Sequence, residues 1–261
     1  MRTAHAMHGS QPGRARHLLV LALALVLLVV LIGVVIGAVR LFTGGGDAET
    51  GSSTPAGTGS ETGQPTTEGE IDPDTGLPGG SSSESGLPVG FPRTELGAAA
   101  VVVELNRAQI GFDYDTAVTT IRVYADPADQ AFFDQLATSA VAQRRSDLNV
   151  PSEGGVDAPA AYAQTPIGYR VEEYGPGYYL VSVLNEVTTT TASGEVGRSL
   201  YVGQQLVAWT GEDWKLVEPT EDDRAQLLAT PVPPAAALGT PEFDTAGWTA
   251  LYDQPTGSTT E

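Results

Sequence analysis

The side chains able to do nucleophilic or metal chemistry are confined to one end of this chain. All three histidines, His5, His8 and His17, lie in the first 17 residues, and there is no cysteine. Everything after residue 17 therefore lacks the base of a Ser-His-Asp or Cys-His site and the ligands of an ordinary zinc site. The absence of cysteine also excludes disulfides and a lipidated-cysteine anchor. What remains there is carboxylates, hydroxyls, nine arginines and a single lysine, Lys215. A carboxylate pair does acid–base or glycosidase chemistry only where burial separates the two pKa values. Asp113, Asp126, Glu212, Asp213, Glu221, Asp222 and Asp223 read as loop, turn or cap positions, where a solvated surface role is expected. Glu104 and Glu186 each sit inside an apolar segment. Their plain reading is an outward-facing position, and their functional reading is a pocket acid. The run DPDTG at Asp72 opens with the spacing of a calcium loop. Its fifth position is Gly76, however, Glu84 falls one residue late for the twelfth, and no helices flank it. No catalytic residue, cofactor site or metal site is assigned.

Tyrosines offer the main candidate contact surface. Tyr169, Tyr174, Tyr178 and Tyr179 gather around the turn Gly175-Pro176-Gly177. Packing with exposed hydroxyls accounts for such a group, and so does a ligand pocket or partner contact. Trp209 and Trp214 flank a second turn and read as core or cross-strand partners. Arg144 and Arg145 close a helical segment, where they oppose the negative helix end on a solvated surface.

Periodicity supplies the elements that position these groups. Thr94 caps a buried helix running to Ile110, ended by Gly111, and Asp113 caps a shorter one through Tyr124. A third helix is expected with Asp126 as cap and Pro127 as first residue. Its apolar face is Phe133, Leu136, Ala137, Ala140 and Val141 at three- and four-residue steps. After a polar loop over 146–159 the period becomes two. Tyr179, Val181, Val183 and Val187 share one face of a long strand, and Tyr178, Leu180 and Leu184 share the other, so both faces are covered. Strands over 200–210 and 214–218 follow. Thr220 caps a short helix, and Trp248, Leu251 and Tyr252 read as a return segment docking on the domain. Three helices followed by an antiparallel meander predict an α+β domain, with the helices packed on a bent sheet.

A different segment governs location. Leu18–Val39 is an apolar run of 22 residues without a charge. At ~1.5 Å per residue it spans about 33 Å as a helix, close to the hydrocarbon thickness of a bilayer. Arg2, Arg14 and Arg16 precede it, and no Lys or Arg follows between Arg40 and Arg93. The positive-inside rule puts residues 1–17 in the cytoplasm and the rest outside the cell membrane. The run is longer than the apolar core of a cleaved signal peptide, and a retained anchor over 18–42 is expected. Gly33 and Gly37 form a small-xxx-small step suited to pairing two spans. Residues 43–90, rich in Gly, Ser, Thr, Pro and acids, predict a disordered linker with a reach of roughly 40 Å. The domain is expected over 91–219, a docking extension over 220–253 and a frayed tail over 254–261. Beyond residue 90 there are 24 acids against nine bases, a net of −15. That lacks the basic stripe of a nucleic-acid binder and favours an acidic, soluble outer domain.

The stretch GLPVGFPRTELGAAAVVVELNRAQ (Gly86–Gln109), with the strand pair ending LVAWTGEDWKLVEP (Leu206–Pro219), resembles a group of actinobacterial single-pass membrane proteins. Their outer domain is similar to the cone-shaped fold of the nuclear transport factor and ketosteroid isomerase superfamily. The layout is also similar to the bitopic assembly subunit of conjugation and type IV secretion channels. The resemblance covers residues 86–219, about half of the chain. It implies a non-enzymatic, membrane-anchored assembly or scaffold component, with envelope proteins or further copies of itself as partners. It also implies two other readings, a module holding a small apolar ligand in the cone and, less in keeping with the residues, an isomerase or dehydratase. No isomerase active-site residue carries over.

Overall fold

The computed structural model describes residues 70–251. The expected cytoplasmic tail, the apolar run Leu18–Val39, most of the linker, and Tyr252 with the tail after it lie outside the described residues. Among the described residues no helix is long and apolar enough to cross a membrane.

The chain is an α+β fold with helices packed against a five-stranded antiparallel sheet. A small hairpin comes first, β1 (Ser82–Glu84) and β2 (Leu87–Val89). Three helices follow, α1 (Glu95–Ala108), α2 (Tyr114–Tyr124) and α3 (Gln130–Asp147). The sheet is a meander of β3 (Ala161–Gly175), β4 (Tyr178–Thr190), β5 (Val196–Trp209) and β6 (Trp214–Leu216). Two short helices, α4 (Glu221–Ala229) and α5 (Pro241–Thr245), lead to β7 (Thr249–Ala250), which returns to the edge of β3. The strand order is β6-β5-β4-β3-β7.

Helix α1 is the centre of the domain. Thr94 accepts the amide of Gly97 as its cap, and Gly97 to Val103 and Leu105 are all buried. A helix apolar all round must be covered all round. The sheet lies on one side, and α2 and β2 cover the other. Gly97 is required by close approach, because a Cβ there would sit 2.0 Å from the Pro92 carbonyl oxygen. Trp214 Nε1 donates to that same oxygen at 2.8 Å, which locks the entry of α1 onto β6.

The second sheet face is covered by residues after 219. Leu227 of α4 packs with Leu180 and Leu206, while Ala236, Phe243 and Trp248 pack with Ile167 and Leu184. The predicted division of β4 into two apolar faces thus matches the packing, with Val181 and Val183 joining the α1 core.

Four local expectations are corrected. Residues 70–90 read as linker from composition, yet they fold: Leu77 is buried, Ile71 bridges Pro78, and β1 pairs with β2. A few apolar residues suffice there because α1 offers an apolar groove. Helix α3 starts at Gln130 rather than Pro127, because Asp126 accepts the Ala128 amide and forms a turn before the helix. Arg145 is not on a solvated surface. It is 4% exposed and donates to the carbonyls of Phe112, Pro151 and Gly154 at 2.8, 2.6 and 2.8 Å, organising the loop before β3. Asp213 is also buried, accepting from the amides of Gly90, Phe91 and Trp214.

Candidate interaction site

Tyr174, Tyr178 and Tyr179 share a sheet end, Tyr169 lies further along β3 opposite Val183, and the four divide between the two faces. Alternation along β3 and β4 sends Tyr174 and Tyr178 outward and Tyr169 and Tyr179 toward the helices. Tyr174 and Tyr178 meet edge to face at 6.2 Å beneath α4. The Tyr178 hydroxyl donates to Asp223 Oδ2 at 3.0 Å, and Asp223 closes the capping box of α4 with Thr220. Burial raises the pKa of both hydroxyls, and the adjacent Asp223 carboxylate raises Tyr178 further. This pair is a clamp holding α4 to the sheet.

On the helix side, Tyr169 and Tyr179 pack against the core. Tyr179 lies opposite Glu173 and 5.5 Å from the Trp214 ring. Trp209 and Trp214 are register partners, with ring centroids at 5.5 Å. The Arg93 guanidinium covers Trp209 at 5.7 Å. Burial is the main cause raising the Tyr179 pKa, followed by the charges of Glu173 and Glu95. Trp214 is buried, Tyr179 and Trp209 are half-buried, and Arg93 is exposed. The Trp pair was legible in the sequence from its turn. Arg93 was not, because only the fold brings it to β5.

A polar network at the other end of the sheet also escaped the sequence reading. Asn106 Oδ1 accepts from Gln164 Nε2 at 3.0 Å and from Asn185 Nδ2 at 3.1 Å, and Asn106 Nδ2 donates to the Val102 carbonyl. Tyr162 donates to Gln164 Oε1, and Arg144 lies over the Tyr162 ring at 4.3 Å while donating to Gln109. These amides are neutral at any physiological pH, so the network fixes α1 against β3 and β4 without supplying an acid or base. The signal for it was an Asn on the buried face of an Ala/Val helix.

Glu104 and Glu186 differ in setting. Glu186 sits on β4 opposite Thr165 and Leu200, and Glu104 sits on α1 beside Arg107. The Glu104 pKa is raised mainly by desolvation, with Arg107 opposing and the charges of Asp72 and Asp74 adding to the rise. Glu104 lines a cavity of about 210 Å³ between α1 and the segment Asp72–Gly80. Among the described residues no group of three or more His, Cys, Asp or Glu side chains can hold a metal ion.

No protein-family model matches the chain. No curated protein matches it either. Among solved structures it is similar to the crystal structure of the intermembrane space region of the chloroplast protein ARC6. That likeness is at 12% identity and a TM-score of 0.29, covering 46% of this chain and 88% of that one. The α+β arrangement rests on the contacts described above.

Proposed function

We infer that the protein is a membrane-anchored scaffold or assembly component whose acidic outer domain makes protein contacts. In this reading the Leu18–Val39 run is the anchor, the linker gives reach, and the domain belongs to the cone-shaped folds of the nuclear transport factor type. Envelope proteins or further copies of the chain are its partners, in a complex of the conjugation or secretion kind. The observation that carries the contact reading is the half-buried pair Tyr179 and Trp209, backed by the buried Trp214 ring, with Arg93 over Trp209. Trp, Tyr and Arg are the residues that most often dominate protein interfaces, and a rigid aromatic base with an exposed cation is the form such anchors take. The space between α1 and the sheet is occupied by Val101, Val102, Leu105, Val183 and Val207, each fully buried. That packing favours an external contact over an apolar ligand held inside.

The test is photocrosslinking in intact cells, with a photoreactive amino acid replacing Arg93. Discrete adducts with an envelope protein or with a second copy are expected, and Trp209→Ala should remove them. A chain that reaches the membrane folded and yields no adduct from this position would end the reading.

A further inference from the structure

Strand β5 has an edge that the rest of the sheet leaves open. Its register with β4 runs from Val196 to Ala208 without a bulge. The Trp209 amide donates to the Gly177 carbonyl on the β4 side, and the Leu206 carbonyl accepts from the Val217 amide on the other side. Backbone direction alternates along an antiparallel strand, so Val196, Arg198, Leu200, Val202 and Gln204 aim their N–H and C=O groups away from β4. β6 pairs only with Val207, Ala208 and Trp209. Among the described residues no backbone hydrogen bond reaches residues 196–205 from that side.

The opposite edge of the sheet is defended. β3 carries Pro166 and two register shifts, and β7 pairs with Gly168 and Tyr169. β5 has no proline, no acid and one charge, Arg198. A long, flat, nearly uncharged edge strand is a template for a further strand. Residues 196–199 are exposed and 200–202 half-buried, whereas Gly203 and Gln204 are buried, which confines new pairing to residues 196–202.

Two charges beside this edge point to the occupant. Among the described arginines, Arg198 alone has no ion pair, hydrogen bond or ring contact from its side chain. Glu186 of β4 lies opposite Leu200, and its carboxylate has no partner among the described residues either. When two β5 strands pair antiparallel about Ser199, Arg198 of one copy lies opposite Leu200 of the other, level with Glu186 and on the same face. At ~4.8 Å per strand those two Cα atoms are about 10 Å apart, within the combined reach of the two side chains. The same register sets Val196, 64% exposed, against Val202 of the other copy. Two-fold symmetry repeats each contact, so a strand carrying its own cation and acid at this spacing fits a second copy of itself.

We propose that two copies of the chain pair antiparallel along β5, centred on Ser199, with Arg198 of each copy paired to Glu186 of the other. This names a second copy, one of the two kinds of partner inferred above, at the opposite end of β5 from Trp209. The Arg93 adducts and the contact at Ser199 are therefore read separately, and either can fail alone.

The chain has no cysteine, so a single introduced one reports this contact. Residues at the centre of a non-hydrogen-bonded pair have Cα atoms ~4.5 Å apart, inside the disulfide range. Full-length Ser199→Cys, purified in detergent and oxidised with copper phenanthroline, should crosslink to a dimer at least tenfold faster than Ser193→Cys in the exposed hairpin tip, as read on non-reducing gels. Arg198→Glu should slow the Ser199→Cys crosslink about fivefold, and adding Glu186→Arg should restore it. Equal rates for the two cysteine variants would overturn the proposal. So would an unchanged rate with Arg198→Glu, or a slowed rate that Glu186→Arg leaves in place. Oxidation in intact cells should give the same dimer, and capture of a different protein by Ser199→Cys without self-crosslinking would overturn the choice of occupant.

Discussion

At the residue scale, the informative side chains are polar groups held inside. Asp213 accepts three backbone amides, two of them from the segment entering α1. Asp213→Ala leaves those donors buried and unpaired, and we predict a loss of about 2–4 kcal/mol in denaturant melts. Glu104 gives a pH signature. Its folded pKa lies above its ordinary value, so the folded state holds its proton more tightly than the unfolded chain. The group therefore favours folding when protonated, and that contribution is lost as pH rises through the folded pKa. Glu104→Gln should gain stability relative to the parent as pH goes from 4 to 7, measured by parallel chemical melts. An unchanged difference across that range would contradict the assigned burial. Asp134 has the opposite sign, because Arg122 holds its carboxyl below the ordinary value and its contribution fades in acid.

At the element scale, two helix starts carry testable weight. Gly97→Ala forces a Cβ into the Pro92 carbonyl, and the entry of α1 must move away from Trp214. We predict destabilisation of about 2–3 kcal/mol, at the upper end for overpacking, with altered Trp fluorescence. Thr220→Ala removes half of the α4 capping box and should lose about 1 kcal/mol. Its effect should reach Tyr178, since Asp223 links the cap to that hydroxyl. Most elements were legible from the sequence, because caps at Thr94, Asp113 and Thr220 and the period-two runs are local signals. The β1–β2 hairpin was not, because β2 packs on α1 and α2 and no signal within its own few residues shows that.

At the scale of the whole molecule, the domain has two cores on one sheet. Helices fill one face, and residues after 219 fill the other. A chain ending at Pro219 would expose Ile167, Leu180, Leu184 and Leu206. At ~1.5–3 kcal/mol for each fully buried apolar side chain, the loss approaches the whole stability of an ordinary domain. We predict that this truncation abolishes cooperative unfolding and gives insoluble protein, as read by calorimetry and sedimentation. The C-terminal stretch up to Leu251 is thus part of the fold, although Pro231, Pro233, Pro234 and Pro241 break its regular structure. The sheet edges are guarded at β6 and β7. Leu216 of β6 bridges Ala125 and Lys215 donates to the Val123 carbonyl, while β7 covers Gly168 and Tyr169 of β3.

The sequence by itself determined the α+β class, the caps at Thr94, Asp113 and Thr220, the alternation of β4 and the absence of imidazole and thiol from everything beyond residue 17. Those are properties of composition and of neighbours within a few residues. Only the tertiary structure decided which side chains meet. It separated the four tyrosines onto two faces, because adjacent residues in a strand point opposite ways. It placed Arg93 over Trp209, buried Asp213 and Arg145, and closed the Glu104 cavity with a segment some 30 residues upstream. Contacts between distant segments depend on how the layers pack, and no local pattern encodes that.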